Sequence, residues 1–427
     1  MTPPPTYSRR LVGWLSLAQL ISWGSVFYLF ALVMGPVERE LGLSRVESSM
    51  AFSLCLLADG LLAFPVGRLI DQGHERAVMT AGSVQLALGL ALHSQVSGLA
   101  SFYAVWVLLG VGMSMTLYQV VFAVVTRRYP NDFRRAIITM TFLGGLASTV
   151  FIPLSSWLIS ALGWQGAVWV LAALNLLVCA PLHAFWLKSA PSKAVVEPAV
   201  NAATSSPAAV VSAASSGTAA NTLGTHMKSP PYLLIGLAIA FMTVATAALP
   251  SHMVTLLREY GLDERWVIAV PASIGVLQVL GRLVLYFFEN RLDVHLANRL
   301  IPALMPLGLL LLVAAPLLTT TTSPWMLLFL AGFVLLWGMG NGMLTIVKGT
   351  AMAQYVSREH VASLNGALGF PLALVRAAAP LGLGLLWTAQ SGYRNGLVVM
   401  IAMALAGTVA LALAQRLALK PALKPGH

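Results

Sequence analysis

Long apolar stretches alternate with short polar segments along almost the whole chain. Each apolar stretch is about as long as the roughly 20 residues that an α-helix needs to cross the hydrocarbon core of a bilayer. The alternation of apolar and polar residues that marks a membrane β-barrel strand is missing from these stretches. Because only helices and closed barrels satisfy their backbone hydrogen bonds in lipid, the pattern predicts an all-α polytopic membrane protein.

The pattern predicts twelve transmembrane helices in two six-helix bundles. The first six are predicted at 11–35, 47–70, 77–96, 101–126, 136–161 and 165–187. The last six are predicted at 231–257, 266–288, 295–317, 324–350, 361–387 and 394–416. Residues 188–229, rich in Ala, Ser, Thr and Pro, have too little bulky apolar surface to pack. We expect a flexible cytoplasmic linker there, between an N-terminal bundle at 1–187 and a C-terminal bundle at 230–427.

The composition agrees with this prediction and excludes an ordinary soluble domain. Hydrophobic residues make up 58% of the chain and charged residues 9%, against roughly 25% charged residues in a soluble domain. The net charge of +11 does not indicate a nucleic-acid partner, because 18 of the 25 Lys and Arg fall in segments on one side. Such an asymmetry is typical of cytoplasmic segments. We expect a multi-pass protein of a cell inner membrane, with both termini cytoplasmic.

Two short motifs recur in the second half of the chain at a nearly constant spacing. GVGMSM at 110–115 corresponds to GMGNGM at 338–343, and GWQ at 163–165 corresponds to GYR at 392–394. The shared spacing indicates duplication of a six-helix unit. Parallel six-helix repeats are the plan of transporters that rock one bundle against the other. We interpret the glycines of these motifs mainly as positions that let helices approach closely.

The polar segment between the second and third predicted helices reads GRLIDQGHER. With the six-plus-six plan and the central linker, it resembles the loop signature of the major facilitator superfamily, which it matches at Gly67, Asp71 and Arg76. Gln72 and His74 replace a basic residue and a glycine that are usual in that loop. The resemblance covers nearly the whole chain outside the termini and linker. It implies a secondary transporter in which Asp71 belongs to a charge relay that latches the cytoplasmic side.

Within the superfamily, the nearest resemblance is to the monocarboxylate-porter-like branch. It is carried by YPNDFRRA at 129–136, VFIPL at 150–154, GWQGA at 163–167 and QVLGR at 278–282. In that branch, an acidic residue and an arginine four positions apart on the eighth helix handle the proton and the carboxylate. Arg282 keeps the arginine, whereas Gln278 replaces the acid. The resemblance therefore implies an anion site at Arg282 and gives no support to proton transfer at Gln278.

Two other signatures of the superfamily are poorly kept. The arginine often found on the fourth helix falls at Trp106, and the antiporter motif of the fifth helix keeps only Pro153. The loss of that motif weakens an interpretation as a drug antiporter. The missing arginine leaves room for a non-transporting receptor on the same scaffold, although such a receptor would normally carry a soluble output module.

Ionisable residues inside predicted helices are the main functional candidates, because each costs roughly 2.5–3.5 kcal/mol on insertion scales. Asp59 is the only acidic residue deep in a predicted helix, and desolvation favours the protonated form that a proton carrier needs. Arg282 and Arg376 are the two deep cations, and a guanidinium binds a carboxylate with two parallel hydrogen bonds. Each group could instead serve packing alone, through an ion pair between helices or by reaching the interface. Since the superfamily arrangement brings the second and eleventh helices together, we hypothesise that Asp59 pairs with Arg376 and that the pair breaks and reforms during transport.

Three further candidates are weaker. His252 lies near the outer end of the seventh helix and belongs to the residue type that titrates near neutral pH. Lys348 lies near the cytoplasmic end of the tenth helix, where it could simply reach the interface, and Tyr118 could line a cavity or only pack. The sequence has no zinc-ligand spacing, P-loop, nucleophile elbow or dinucleotide fingerprint. We therefore expect neither an enzyme nor a cofactor nor ATP drive.

These patterns predict a secondary active transporter that works by proton-coupled alternating access. We expect it to carry a small organic solute, a monocarboxylate or another organic anion, in symport with protons. The alternative is a proton-coupled efflux pump for multiple drugs or toxic compounds. The expected partners are the small-molecule substrate, protons and membrane lipid, and the expected state is a monomer.

Overall fold

The computed structural model describes residues 8–129, 133–187, 225–288, 293–319, 323–357 and 361–419. Nearly all of these residues lie in helices, and the one β-feature among them is an isolated bridge between Thr388 and Gly392. The predicted linker at 188–229 lies outside the described residues, except for 225–229.

The described residues of the first half form six helices, of which several are interrupted. They are α1 (Arg9–Leu41), α2 (Arg45–Asp71), α3 (Glu75–His93), α4 (Leu99–Arg128), α5 (133–162) and α6 (164–186). A π-helical turn interrupts α1 at Trp23–Tyr28 and α6 at Asn175–Cys179. Leu117, with extended backbone angles, interrupts α4. Gly163, whose φ of 72° is unfavourable for other residues, separates α5 from α6.

The part of 230–427 that the structure describes also forms six helices, with fewer interruptions. They are α7 (Pro230–Glu259), α8 (Glu264–Phe288), α9 (Val294–Leu318), α10 (Pro324–Tyr355), α11 (Val361–Leu385) and α12 (Arg394–Leu419). Ser229 and Ser323 precede the prolines that begin α7 and α10. Proline suits the first turn of a helix because its missing N–H would have no partner there.

The helices are long enough for twelve membrane crossings. Among the described residues, ten helical stretches are long and apolar enough to span a bilayer. One of them, Thr139–Trp186, has 48 residues and contains the break at Gly163, so it supplies two crossings. The 19-residue helix α3 is not among the ten, but it packs against α4 and α6 inside the first bundle and completes the twelve. The predicted all-α membrane protein is confirmed.

Because the helices alternate in direction, the two sides of the molecule carry different features. The ends of the described chain, the loop between α2 and α3 and the ends that face the linker share one side, which we call the terminal side. The opposite side, the far side, carries the loop between α1 and α2, the end of α7 and the start of α12.

The repeated glycines place α4 and α10 in equivalent surroundings. A Cβ atom added to Gly110 would come within 2.1 Å of α2, and one added to Gly112 within 2.5 Å of α3. A Cβ atom on Gly338 would come within 2.5 Å of α8, and one on Gly340 within 2.9 Å of α9. These distances are shorter than any side chain tolerates. The glycines therefore permit the same close packing of the fourth helix of each half on its second and third helices.

A polar joint on the terminal side ties the third helix of each half to the fourth. In the first half, buried Glu75 at the start of α3 pairs with Arg128 at the end of α4. Arg128 also donates to the carbonyl of Leu187 after α6, at 3.2 Å. In the second half, Asn298 near the start of α9 donates to the hydroxyl of Tyr355 at the end of α10, at 2.8 Å. The equivalent joint is ionic in one half and neutral in the other.

The packing of α10 on α8 gives a stability prediction. An added Cβ on Gly342 would meet the Gln278 carbonyl oxygen at 2.1 Å, whereas one on Gly349 of the same helix meets nothing within 4 Å. Gly342→Ala should destabilise the protein by roughly 1–3 kcal/mol of overpacking, offset in part by about 1 kcal/mol of helix propensity. Gly349→Ala gains the propensity alone and should raise the apparent Tm. Thermal unfolding in detergent compares the two, and equal Tm values would contradict the packing described.

Candidate functional site

The packing between α2 and α11 shows how the two halves meet. On the far side, a Cβ atom added to Gly384 would meet the Ser49 hydroxyl at 2.5 Å. In the middle, one added to Gly60 would meet the Cβ of Ala373 at 2.9 Å. Nearer the terminal side, a Cβ atom added to Gly366 would meet nothing within 4 Å. The two helices are therefore in tight contact on the far side and separate toward the terminal side.

Arg45, the first residue of α2, joins the halves at the far side. Its guanidinium pairs with Glu38 of α1 at 2.9 Å and with Glu259 at the end of α7 at 3.4 Å. The guanidinium also donates to the hydroxyl of Tyr393, just before α12, and lies 5.1 Å from the ring centroid of Trp387. We call these five residues the far-side lock. Three of its members belong to the second half. The lock therefore closes the far side of the boundary between the two halves, which we call the seam.

His252 of α7 extends the far-side lock into the membrane. Its buried ring places Nδ1 at 2.9 Å from the Tyr393 hydroxyl and Nε2 at 3.0 Å from the Pro380 carbonyl of α11. Since a carbonyl only accepts hydrogen bonds, we assign the proton to Nε2, and Nδ1 accepts from Tyr393. Burial raises the pKa of Tyr393, although Arg45 opposes the shift, so the hydroxyl keeps the proton that it donates. Ser49 of α2 lies 3.4 Å from the same Nε2.

Asp59 and Arg376 form an ion pair across the seam in the middle of the membrane. Nη1 of Arg376 donates to Oδ2 of Asp59 at 2.9 Å. The Asp59 side chain is 11% exposed and that of Arg376 26%, so the arginine is the less buried partner. The structure thus brings together the two residues whose pairing the sequence suggests.

Arg282 lies apart from that pair, on the terminal half of α8. Its Nη1 donates to the carbonyl of Thr141 on α5 at 2.7 Å, and its Nε donates to the carbonyl of Gly342 on α10 at 3.4 Å. Because Thr141 belongs to the first half, Arg282 also bridges the halves. Tyr28 and Tyr118 lie within electrostatic range of the guanidinium. Among the described residues, no carboxylate contacts Arg282.

A cavity of about 520 Å³ opens beside Arg282, between α4, α5, α8 and α10. We call it the Arg282 cavity. Tyr118 contributes a wall and stacks on Phe122, with ring centroids 5.1 Å apart and planes inclined by 15°. The rest of the wall is mostly apolar, and Arg282 is the one charged residue among the described lining residues. Both halves contribute to this cavity.

Gln278 and Lys348 do not join a charged cluster. Gln278, one turn before Arg282, is half-buried, and its side chain makes no hydrogen bond within the described part of the chain. Lys348 lies inside the second half, with Nζ at 3.4 Å from the Thr243 hydroxyl of α7. It lines a small cleft among α7, α9, α10 and α12 rather than the Arg282 cavity.

The predicted latch residues lie on the terminal side. Asp71 and Arg76 are exposed, and within the described ranges neither makes a hydrogen bond or ion pair. An added Cβ on Gly67 would meet nothing within 4 Å. The loop is anchored by Arg127, whose Nη1 donates to the carbonyl of Ile70 at 2.8 Å. The latch role of Asp71 stays a prediction.

The far-side lock is not among the residues predicted from the sequence. Arg45, Glu259 and Tyr393 lie at helix ends, where charged and aromatic residues are ordinary. One signal was available, because only five of the 25 Lys and Arg fall on this side. A cation placed against the prevailing charge asymmetry is a candidate for a specific contact.

Comparison with solved structures gives transporters of the same fold. A variant of the nucleoside transporter NupG has a TM-score of 0.68 at 15% identity, covering 96% of this chain and 99% of that chain. A bacterial homolog of the human lysosomal transporter Spinster has a TM-score of 0.67 at 14% identity, covering 96% and 98%. The POT family transporter PepTSo has a TM-score of 0.68 at 12% identity, covering 97% and 99%. These identities show the fold alone, and no curated protein sequence compared with the chain matches it.

The sequence also matches the sequence model of a protein family. The pattern of the Major Facilitator Superfamily matches residues 15–380, from α1 into α11. The match covers most of the chain, and the twelve-helix fold agrees with it. The chain therefore belongs to the major facilitator superfamily of transporters.

Proposed function

We propose that this transporter carries an organic anion, a monocarboxylate in particular, in symport with protons. The observation that carries the proposal is the state of Arg282. Its guanidinium lines a cavity to which both halves contribute, and its hydrogen bonds within the described part of the chain go to backbone carbonyls. A guanidinium without a carboxylate partner is complementary to a carboxylate ligand. The likeness to the monocarboxylate-porter-like branch at 278–282 supports the same substrate class.

Asp59 is the proposed proton carrier. In its ionised form it is held by Arg376 across the seam, at 2.9 Å. Protonation would remove the charge from Asp59 and weaken the attraction to Arg376, because the pair lies where the effective dielectric is low. Proton binding would therefore loosen the contact between α2 and α11. A proton that controls this contact couples its own movement to the rearrangement of the halves.

The far-side lock and the open terminal side fit one state of an alternating-access cycle. In this structure, Arg45 of the first half holds Glu259 and Tyr393 of the second half on the far side, while α2 and α11 separate toward the terminal side. We place the terminal side in the cytoplasm, because it carries 18 of the 25 Lys and Arg. We therefore propose that this is an inward-facing state and that the protein resides in a cell inner membrane.

Efflux of amphipathic compounds is the second candidate function. The apolar wall of the Arg282 cavity favours it, since drug-sized ligands bind to concave, mostly apolar sites. The two functions differ in their need for the guanidinium. A carboxylate porter depends on Arg282, whereas an efflux pump for cationic or neutral compounds does not.

The first prediction concerns Arg282 in proteoliposomes that enclose a pH-sensitive dye. External carboxylate should acidify the lumen, and Arg282→Ala should lower that rate at least tenfold, because the anion loses a charge-assisted pair of hydrogen bonds. Arg265→Ala is the matched control, since Arg265 is exposed at the far-side end of α8 and its loss should change nothing. Proton movement driven by cationic drugs, and retained in Arg282→Ala, would support efflux instead.

The second prediction separates the two roles of Asp59. Asp59→Asn and Arg376→Gln should each reduce transport, because each leaves one buried partner unpaired. The double variant should recover carboxylate exchange, which needs no net proton movement, but not proton-driven accumulation. Both activities are measured with labelled substrate in the same proteoliposomes. A double variant no better in exchange than either single variant would remove the support for the pairing.

The third prediction concerns the far-side lock. Arg45→Gln should expose the seam from the far side and speed the alkylation of Ser49→Cys by an impermeant maleimide. Arg39→Gln, which removes a far-side arginine outside the lock, is the matched control. The buried cysteines Cys55 and Cys179 are replaced by alanine in all variants to remove background. Equal alkylation rates in the two arginine variants would show that Arg45 does not hold the seam.

A further inference from the structure

We propose that the Arg282 cavity selects a monocarboxylate with an apolar body about as large as an aromatic ring, rather than a short, hydrophilic acid. This inference rests on the proposed function, because it assumes that the cavity binds the transported anion. It adds that the apolar wall of the cavity binds the part of the substrate beyond the carboxylate.

The charge of the cavity limits the ligand to one carboxylate. Arg282 is its one charged group among the described lining residues, and Lys348 belongs to a different cleft. A guanidinium has five N–H donors, of which the Thr141 and Gly342 carbonyls occupy two. The remaining donors suffice for a bidentate carboxylate. A dianion would bring a second charge into a wall that has nothing to pair with it.

A phenol stands beside the guanidinium. Tyr118 lines the same cavity, lies within electrostatic range of Arg282, and its hydroxyl makes no hydrogen bond within the described part of the chain. A buried tyrosine hydroxyl usually has a hydrogen-bond partner. A carboxylate held by Arg282 would supply an acceptor for it. The polar residues that line the cavity are thus Arg282, Tyr118 and the two threonines Thr141 and Thr345.

The remainder of the cavity is suited to an apolar body. The side chains that face it include three phenylalanines and two isoleucines: Phe122, Phe142, Phe287, Ile137 and Ile346. They come from α4, α5, α8 and α10, so the apolar wall is built by both halves. Tyr118 and Phe122 present stacked, nearly parallel rings. Aromatic walls of this kind favour another ring in offset or edge-to-face contact.

The size of the cavity excludes a good fit for the smallest acids. Its volume of about 520 Å³ corresponds to roughly 17 water molecules at about 30 Å³ each. A three-carbon hydroxy acid has only six heavy atoms and would leave most of the apolar wall against water. A ligand with an added phenyl or branched alkyl group covers that wall. Each buried CH₂ should improve the affinity roughly three- to fourfold.

The test measures binding to the full-length protein in lipid nanodiscs, with empty nanodiscs subtracted to correct for partition into lipid. Calorimetric titrations use lactate, acetate, butyrate, hexanoate and 3-phenylpropanoate, and the neutral amide of 3-phenylpropanoate. We expect the affinity to rise roughly three- to fourfold per CH₂ through the alkanoates, the aromatic acid to bind well, and lactate and the amide to bind weakly.

Two variants locate the effect. Phe142→Ala should weaken 3-phenylpropanoate at least fivefold and leave acetate unchanged, while Phe142→Leu should restore most of the loss. Phe370→Ala is the matched control, because Phe370 is 60% exposed on α11 and outside the cavity. A loss that is equal for acetate and 3-phenylpropanoate would indicate a folding defect in Phe142→Ala. The alkanoate series on the unaltered protein then decides the question.

The outcomes separate this inference from the proposed function. Tight binding of lactate, with weak or equal binding of the longer acids and dependence on Arg282, would overturn the inference and keep the carboxylate porter. If no acid binds, or if all bind equally to Arg282→Ala, both fail. A rise in affinity with apolar size that depends on both Arg282 and Phe142 supports both.

Discussion

A charged group that this chain carries into the bilayer is costly to leave without a partner in the protein, because lipid offers none. The deepest of these partnerships cross the seam between the halves. Asp59 meets Arg376 at 2.9 Å, and Arg282 meets the carbonyl of Thr141 at 2.7 Å. A movement of one half against the other therefore changes the solvation of charged groups. The few side chains that are costly to bury therefore have different surroundings in different states of the transporter.

The packing within each half, in contrast, holds its helices in fixed positions. The glycines of α4 and α10 bring backbones into direct contact, which leaves no room for sliding. On the terminal side, Glu75 and Arg128 tie α3 to α4, and Asn298 and Tyr355 tie α9 to α10. Rigid bundles with a polar seam are what rigid-body alternation requires. The duplicated sequence thus produces two similar bodies whose differences lie in the chemistry of their contacts.

The fold could be predicted from the sequence because a crossing helix needs about 20 apolar residues, and this chain separates such stretches with polar segments. The weakest of the crossings, α3, spans Glu75–His93 where 77–96 is predicted, because its ends carry polar side chains that hydropathy cannot place. The break between α5 and α6 required only Gly163, which the repeated motif already marked. Trp106, at the position where relatives often carry arginine, is fully buried and packs edge-on against Phe30.

The site was predictable only in part. Asp59, Arg282 and Arg376 stand out because ionisable residues are rare at membrane depth. The far-side lock gave no such signal, since its members lie at helix ends. The wall of the Arg282 cavity gave none either, because a phenylalanine facing a cavity and one facing lipid, such as Phe142 and Phe370, are indistinguishable in sequence. Hydropathy records that a side chain is apolar, and only the packing of four helices determines what it faces.

The hydroxyl of Tyr393 has two neighbours at once, since it accepts from Arg45 and donates to His252. Neither contact can be lost without disturbing the other, because an acceptor that gains a donor becomes a better donor itself. Because the two hydrogen bonds share one hydroxyl, we expect them to break together when the far side opens. A state with only one of them broken would be little stabilised. We expect a far-side barrier that is either whole or broken to limit the leak of ions past the substrate, and the shared phenolic oxygen of Tyr393 contributes to that behaviour.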